Sequence, residues 1–305
     1  MDILALDIGG TAIKYALGDE TGRLTWLGET PTRAELGGEH IPETILQILR
    51  NYPEAEAIGI STAGQVETQT GRILYATDNI PRYTGLPLGR LIAQASGLPV
   101  MVENDVHAAA LGELAFGCGG DFHSFLFITY GTGIGGAMVW DGRLIRGEQG
   151  TAGYFGHILT HPGGRLCTCG QRGCYETYAS TTALLQRVEE VTGRKMTGRE
   201  LFRDSMTESV RNCLDSWIDE VMWGLVSLIN AVNPAAVVLG GGIMKEKTII
   251  ESLRRRLPSY LPPMSRNISV LASTLGNTAG MLGMIHLCSQ ANGHGFEGGY
   301  ECCKP

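Results

Sequence analysis

Alternating and consecutive apolar residues, closed off by glycine-rich turns, open the chain. Residues 2–8 (DILALDI) and 13–18 (IKYALG) read as strands joined by Gly9-Gly10-Thr11, and RLTWLGE supplies a third. The period then changes. PETILQILRNY spaces its apolar residues as a helix does, EAIGIS is a strand, PLGRLIAQASG a second helix and PVMVE a strand, after which a helix runs from Asp105 to about Phe116. Strand and helix alternate, which predicts an α/β fold.

The pattern restarts at SFLFITY, a strand followed by a glycine turn over residues 131–136 and by AMVW, which ends in the hairpin pair Asp141-Gly142. A long helix, ESVRNCLDSWIDEVMWGLVSLINAVN, precedes AAVVLG, the glycines 240–242, ISVLAS and TAGMLGMIHLC. The halves look like repeats. Two lobes are expected, residues 1–118 and 119–275, with a helix over 276–290 packing back on the first. Residues 291–305, which lack periodicity, read as a mobile tail.

At 305 residues the chain is long enough for two domains, and its 43 glycines, about twice average usage, call for many tight turns. A net charge of −7 lacks the basic footprint that nucleic acid requires. No apolar run approaches the roughly 20 residues of a membrane span, and MDILALDIGG resembles no signal peptide, so a cytoplasmic enzyme is expected. Three of the eight cysteines crowd together as C-x-C-x4-C. Cys167, Cys169 and Cys174 with His157 make the closed, tetrahedral ligand set of a structural Zn2+ site, in a loop over 157–174. The Cys302-Cys303 pair carries no assigned chemistry.

Gly131, Gly133 and Gly136 match G-x-G-x-x-G, but a strand follows them where a dinucleotide site needs a helix, and no G-K-[ST] exists for a P-loop. What remains is a pair of glycine hairpins that can bring bare N–H groups to phosphate oxygens, with Asp7 ahead of the first and Thr11 and Thr132 inside them. Either hairpin alone reads more readily as a tight turn needing positive φ, and finding both, with these residues, reverses that preference. Asp105 stands where a strand meets a helix, a junction that directs side chains to the carboxyl ends of strands, and phosphoryl transfer needs one such carboxylate as base. On spacing alone the same junction is a helix N-cap.

LALDIGGTAIKYAL, ENDVHAAALGE, GTGIGGAMV, CTCGQRGCYE and VVLGGGI together resemble the ROK family of repressors, open reading frames and sugar kinases, from residue 2 to about 290. The resemblance implies the actin-like ATPase fold, with duplicated ribonuclease-H-like lobes closing on ATP and sugar. The implied activity is ATP-dependent phosphorylation of a hexose hydroxyl, with a 6-phosphate product. Gly9, Gly10 and Thr11 would form the first phosphate turn, Gly131, Thr132, Gly133 and Gly135 the second, and Gly240, Gly241 and Gly242 the adenosine contact. By the same resemblance Asp105 is the base, Asn104 holds the sugar, Asp7 assists Mg2+ through water, and the zinc loop borders a sugar pocket of Asn79, Tyr154, His157 and Glu176. Local sequence allows Asn79 equally to be a turn residue before Ile80-Pro81.

One segment departs from the family pattern. Where G-E-x-G-H is usual, this chain has Gly153-Tyr154-Phe155-Gly156-His157, and a tyrosine cannot replace a bidentate carboxylate acceptor, although it can stack on a sugar face. Plain glucose loses support, and N-acetylmannosamine or a β-glucoside with a bulky aglycone stands open. A non-catalytic sugar sensor or transcriptional regulator is the alternative from another class. With the first phosphate turn at residue 9, no DNA-reading domain is expected ahead of it. A homodimer is expected, dimers being the commonest assembly.

Overall fold

A computed structural model of the protein describes residues 1–203, 206–293 and 303. The chain divides into two units, one built from Met1–Gly120, Arg146–Thr151 and the segment from Asn277 onward, the other from Asp121–Ile145 and Ala152–Gly276.

The first unit contains β1 (Ile3–Ile8), β2 (Ala12–Gly18), β3 (Leu24–Pro31), α1 (Ile41–Leu49), β4 (Ala57–Thr62), β5 (Gln65–Glu67), β6 (Arg72–Tyr75), α2 (Leu88–Ser96), β7 (Val100–Asn104) and α3 (Asp105–Phe116). Its main sheet runs β3-β2-β1-β4-β7, antiparallel across the meander and parallel from β1 through β4 to β7, while β5 and β6 pair separately. Strands β1 and β4 are buried on both faces, as parallel strands covered by helices must be, which is why they read as near-continuous apolar runs. Ile41, Ile45, Leu88 and Ile92 of α1 and α2 pack with Leu4, Leu6, Ile58 and Val102.

The second unit repeats the plan. It contains β8 (Phe125–Tyr130), β9 (Ile134–Trp140), β10 (Arg143–Ile145), α4 (Glu176–Ala179), α5 (Thr181–Thr192), α6 (Gly198–Arg203), α7 (Glu208–Val232), β11 (Ala236–Gly240), α8 (Lys247–Arg256) and β12 (Ser269–Ala272). The sheet order β10-β9-β8-β11-β12 has the same sequence of antiparallel and parallel pairings. Trp217, Val221 and Leu225 of α7 bury against Leu126, Ile128 and Leu239. The Tyr175 hydroxyl, 2.9 Å from that of Tyr130, donates to the Val221 carbonyl at 2.7 Å, so the polar tips inside this core are satisfied.

The last helix, α9 (Ala279–Gly293), belongs to the first unit and packs on β1, β4 and α3. Glycine permits the contact: a Cβ at Gly112 would overlap the Ala279 carbonyl, and one at Gly283 the Ala108 carbonyl. Two features differ from the sequence expectation. The second glycine turn covers only residues 131–133, because Gly135 and Gly136 already pair with Thr129 and Ile128 inside β9. The tail expected over 291–305 falls mostly outside the described residues, Cys302 included, but residues 291–293 finish α9, and buried Cys303 exchanges backbone hydrogen bonds with Val100 at 3.0 and 3.3 Å. Among the described residues no helix is long and apolar enough to cross a membrane.

Candidate active site

In the first unit the site begins where β7 hands over to α3. Asn104 is the N-cap: its Oδ1 accepts from the backbone N–H groups of Val106 at 3.0 Å and His107 at 3.1 Å. Its Nδ2 donates to the Gly64 carbonyl and to Asp105 Oδ1, both at 2.9 Å. Both amide donors and two acceptor sites are thus committed, so Asn104 caps the helix and orients Asp105, and a sugar contact would have to displace one of these bonds. The Val106 N–H also donates to Asp105 Oδ1, at 2.9 Å. Asp105 Oδ2 is left for a ligand, with no hydrogen bond among the described residues.

Burial pushes the Asp105 carboxyl up to about 6, reinforced by the charge of Asp7 and opposed by the Val106 N–H and the charge of His107. Asp7 lies on β1 and accepts from Ser61 Oγ at 2.9 Å. Burial raises its proton affinity too, against the Ser61 hydrogen bond and the charge of Lys14. A Cβ at Gly280 of α9 would stand 2.8 Å from Ser61 Oγ and 3.4 Å from Asp7 Oδ1, so glycine lets that helix close over the pair.

Sequence reasoning missed a buried charge network directly behind this junction. Glu103 Oε1 accepts from the Asn104 N–H at 2.9 Å and lies 3.3 Å from His107 Nδ1, while Oε2 takes Arg146 through Nε at 3.0 Å and a terminal nitrogen at 2.7 Å. Burial alone would raise the Glu103 proton affinity, yet the His107 hydrogen bond and the Arg146 charge hold it below the ordinary value. Glutamate in ENDVH was a visible hint. Its arginine, 43 positions away, had none.

Neither glycine turn is a strained one. Gly9, Gly10, Gly131 and Gly133 all lack positive φ, so positive φ is not what calls for glycine in these tight turns, each closed by a backbone bond, Gly9 N–H to the Ala12 carbonyl and Gly131 N–H to the Gly133 carbonyl, both at 3.0 Å. A Cβ at Gly131 would meet nothing within 4 Å and one at Gly10 nothing nearer than Asn79 Cβ at 3.6 Å, so the chain's own packing does not demand glycine there. Glycine there leaves backbone that a ligand can approach without a side chain in the way. Thr11 and Thr132 are exposed on these turns, and Asn79, also exposed, sits beside the first. Gly133 differs, since a Cβ there would stand 2.5 Å from Glu176 Oε2. At the end of β11, Gly240 completes the strand, Gly241 has φ 98° with its Cβ position filled by the Tyr130 backbone, and Gly242 is open.

In the second unit Glu176 joins two features. Its Oε2 accepts from the Ile134 N–H at 3.3 Å, just past the glycine turn, and its Oε1 lies 3.0 Å from Cys167 Sγ and 3.8 Å from His157 Nδ1. The ligand atoms of His157, Cys167, Cys169 and Cys174 all lie within 4.8 Å of one another. The Cys169–Cys174 sulfur separation of 3.6 Å and the Cys167–His157 separation of 3.7 Å match the edges, about 3.6–3.8 Å, of a tetrahedron with zinc bond lengths. The donor set and spacing fit zinc. Tyr154, 42% exposed, precedes the short helical turn bearing His157, and the two rings meet edge to face at 6.0 Å.

The model of the ROK family matches residues 3–291. The chain belongs to the ROK family. Among ROK relatives it is 33% identical over 307 residues to the glucokinase of Halalkalibacterium halodurans, covering 92% of each chain. It is 31% identical over 302 residues to the beta-glucoside kinase of Listeria innocua, covering 96% of this chain and all of the relative. A solved ROK glucokinase from Streptomyces griseus, in complex with glucose and AMPPNP, superposes with a TM-score of 0.82 at 30% identity, over 95% of this chain and 100% of that one. The fold is accordingly that of the actin-like ATPases, which the repeated sheets express directly.

Proposed function

We infer that the chain is an ATP-dependent sugar kinase, with Asp105 as the base that takes the proton of the attacking hydroxyl. The observation carrying this reading is a desolvated carboxylate at a strand-to-helix junction, held through one oxygen and open at the other, in a ROK chain with two unstrained glycine turns. The sugar oxygen attacks the γ-phosphorus of ATP, the bond to the β-phosphate oxygen breaks, and Asp105 receives the hydroxyl proton as ADP leaves. The turns of Gly9, Gly10 and Thr11 and of Gly131, Thr132 and Gly133 are assigned to the phosphates, with the Gly10 and Gly133 N–H groups as the donors, since those of Gly9 and Gly131 are spent on the Ala12 and Gly133 carbonyls, and Gly240, Gly241 and Gly242 to the adenosine.

Asp7 is the residue assigned to Mg2+, which supplies charge neutralisation to the phosphates. The mutual repulsion of Asp7 and Asp105 is the electrostatics that a nearby divalent cation relieves. His157, Cys167, Cys169 and Cys174 would hold zinc, which would supply structural order to the loop beside Glu176, whose Oε2 accepts from the Ile134 N–H. Asn79, Tyr154, His157 and Glu176 are assigned to the sugar.

Because Asp105 works only when ionised, kcat/KM should rise with pH, with a single proton lost near pH 6 and a plateau above about pH 7. A limb near pH 4 would contradict the desolvated environment. A coupled assay with ATP and magnesium across glucose, N-acetylmannosamine, N-acetylglucosamine, mannose and cellobiose tests the activity itself, and silence on every sugar would favour a sensor. Tyr154 favours an acceptor with a group for its ring to cover over plain glucose. Tyr154→Glu is expected to lower the KM for glucose by about tenfold, and an unchanged glucose KM would remove Tyr154 from the specificity role.

A further inference from the structure

We propose that Arg146 is a positioning residue for the reaction: through the buried carboxylate of Glu103 it fixes the orientation of Asn104 and Asp105. The inference rests on Asp105 being the base. Arg146 opens the short segment, Arg146–Thr151, that leaves the second unit after β10 and clusters with the first. Its guanidinium grips a single oxygen of Glu103, at 2.7 and 3.0 Å, and the Glu103 side chain is only 2% exposed. The other Glu103 oxygen accepts the Asn104 N–H and faces His107 Nδ1. Asn104 in turn donates to Asp105. Three links therefore connect Arg146 to the reacting carboxylate, each within 3.0 Å.

The same 146–151 segment is tied down a second time, where Gln65 Nε2 donates to the Gln149 carbonyl at 2.8 Å. It then leads, at Ala152, into the stretch carrying Tyr154 and His157. The anchor that braces the base thus begins the strap leading to residues assigned to the sugar.

Removing one partner of such a pair leaves the other charge buried and uncompensated. With Arg146 gone, the Glu103 carboxylate, adjacent in sequence to the Asn104-Asp105 pair, adds negative charge to the field that Asp105 already feels from Asp7 on β1. His107 on α3, and Lys14 on β2 acting on Asp7, would be the remaining opposing charges. Asp105 would hold its proton to higher pH and lose its fixed orientation.

The test compares Arg146→Met, Arg146→Lys, the double variant Glu103→Gln with Arg146→Met, and Asp105→Asn, in full-length protein with steady-state kinetics over pH 5–9. Arg146→Met is expected to lower kcat by about 10–100-fold, with the KM for ATP changed less than about twofold and the acidic limb moved up by about half a unit. The double variant, freed of the unpaired charge, should return the limb to its original pH. Arg146→Lys keeps the charge but not the two-pronged grip, so its limb should stay in place while kcat falls by about three- to tenfold. If Arg146→Met does not fold, the lysine variant decides. Full kcat in Arg146→Lys, or in Arg146→Met a kcat within twofold of the parent or a limb that stays put, would overturn the inference. Turnover retained in Asp105→Asn would instead remove the base on which it rests.

Discussion

Asp105→Asn is expected to lower kcat by about 10² to 10⁴-fold while leaving the KM values for sugar and ATP within a few-fold of the parent. Asparagine keeps the shape, and its side-chain oxygen can still accept from the Val106 N–H and from Asn104 Nδ2. What disappears is proton acceptance. The variant should also be more stable above pH 7. The native state holds the Asp105 proton more tightly than the unfolded chain, with the carboxyl raised from 3.8 to about 6, so its stabilising contribution is full below pH 3.8 and is lost as pH rises through 6. At pH 8 the buried, ionised carboxylate costs on the order of 1–3 kcal/mol, which the neutral amide avoids. Thermal melting at pH 8 and pH 5 separates the cases: a gain of a few degrees at pH 8 that shrinks towards pH 5 is expected. A variant that is inactive and less stable at both values would point to a structural role for Asp105.

Cys174→Ser is expected to abolish stoichiometric zinc, measured by elemental analysis of the purified protein, and to reduce kcat/KM by about 10- to 100-fold or more. Cys174 is fully buried and joined to Leu159 by an isolated backbone bridge, so the loop it anchors is held by the chain as well as by its thiolate. The chain alone is not enough to fix Glu176. Without the metal the remaining thiols and the imidazole have no common partner, and the segment that carries Cys167 and His157 beside the Glu176 carboxylate loses its fixed position. The KM for sugar should therefore rise more than the KM for ATP. Zinc bound at one per chain in Cys174→Ser, or parental kinetics after complete chelation, would contradict the assignment.

Much of the fold could be read from local chemistry. Helix α3 begins at Asp105 and ends at Phe116 as expected because an asparagine cap and a run of good helix formers define both ends within the segment itself. The repeat was visible because each half contains the same strand, glycine turn and strand, and the structure gives both the same sheet order. The four metal-ligand candidates were legible because they fall within 18 residues, close enough for spacing to carry geometry. Boundaries set by packing were not. Gly136 reads as turn by composition, yet it pairs with Ile128 inside β9, and it is glycine because the Phe155 ring and the Gly153 carbonyl occupy the space of a side chain. The ion pair of Glu103 with Arg146 and the bridge from Cys303 to Val100 join distant parts of the chain, and no local pattern announces either.

Helix α9 belongs to the first sheet but is the last long helix among the described residues. Until residues beyond Asn277 emerge, one face of β1 and β4 and the flank of α3 lack their cover, and Gly112 has no helix to meet. The second unit, whose sheet is complete by Ala272, has all of its own strands first. During synthesis the later-encoded half can therefore finish before the earlier one, and a nascent chain stopped at residue 120 would display a greasy face suited to capture by a chaperone.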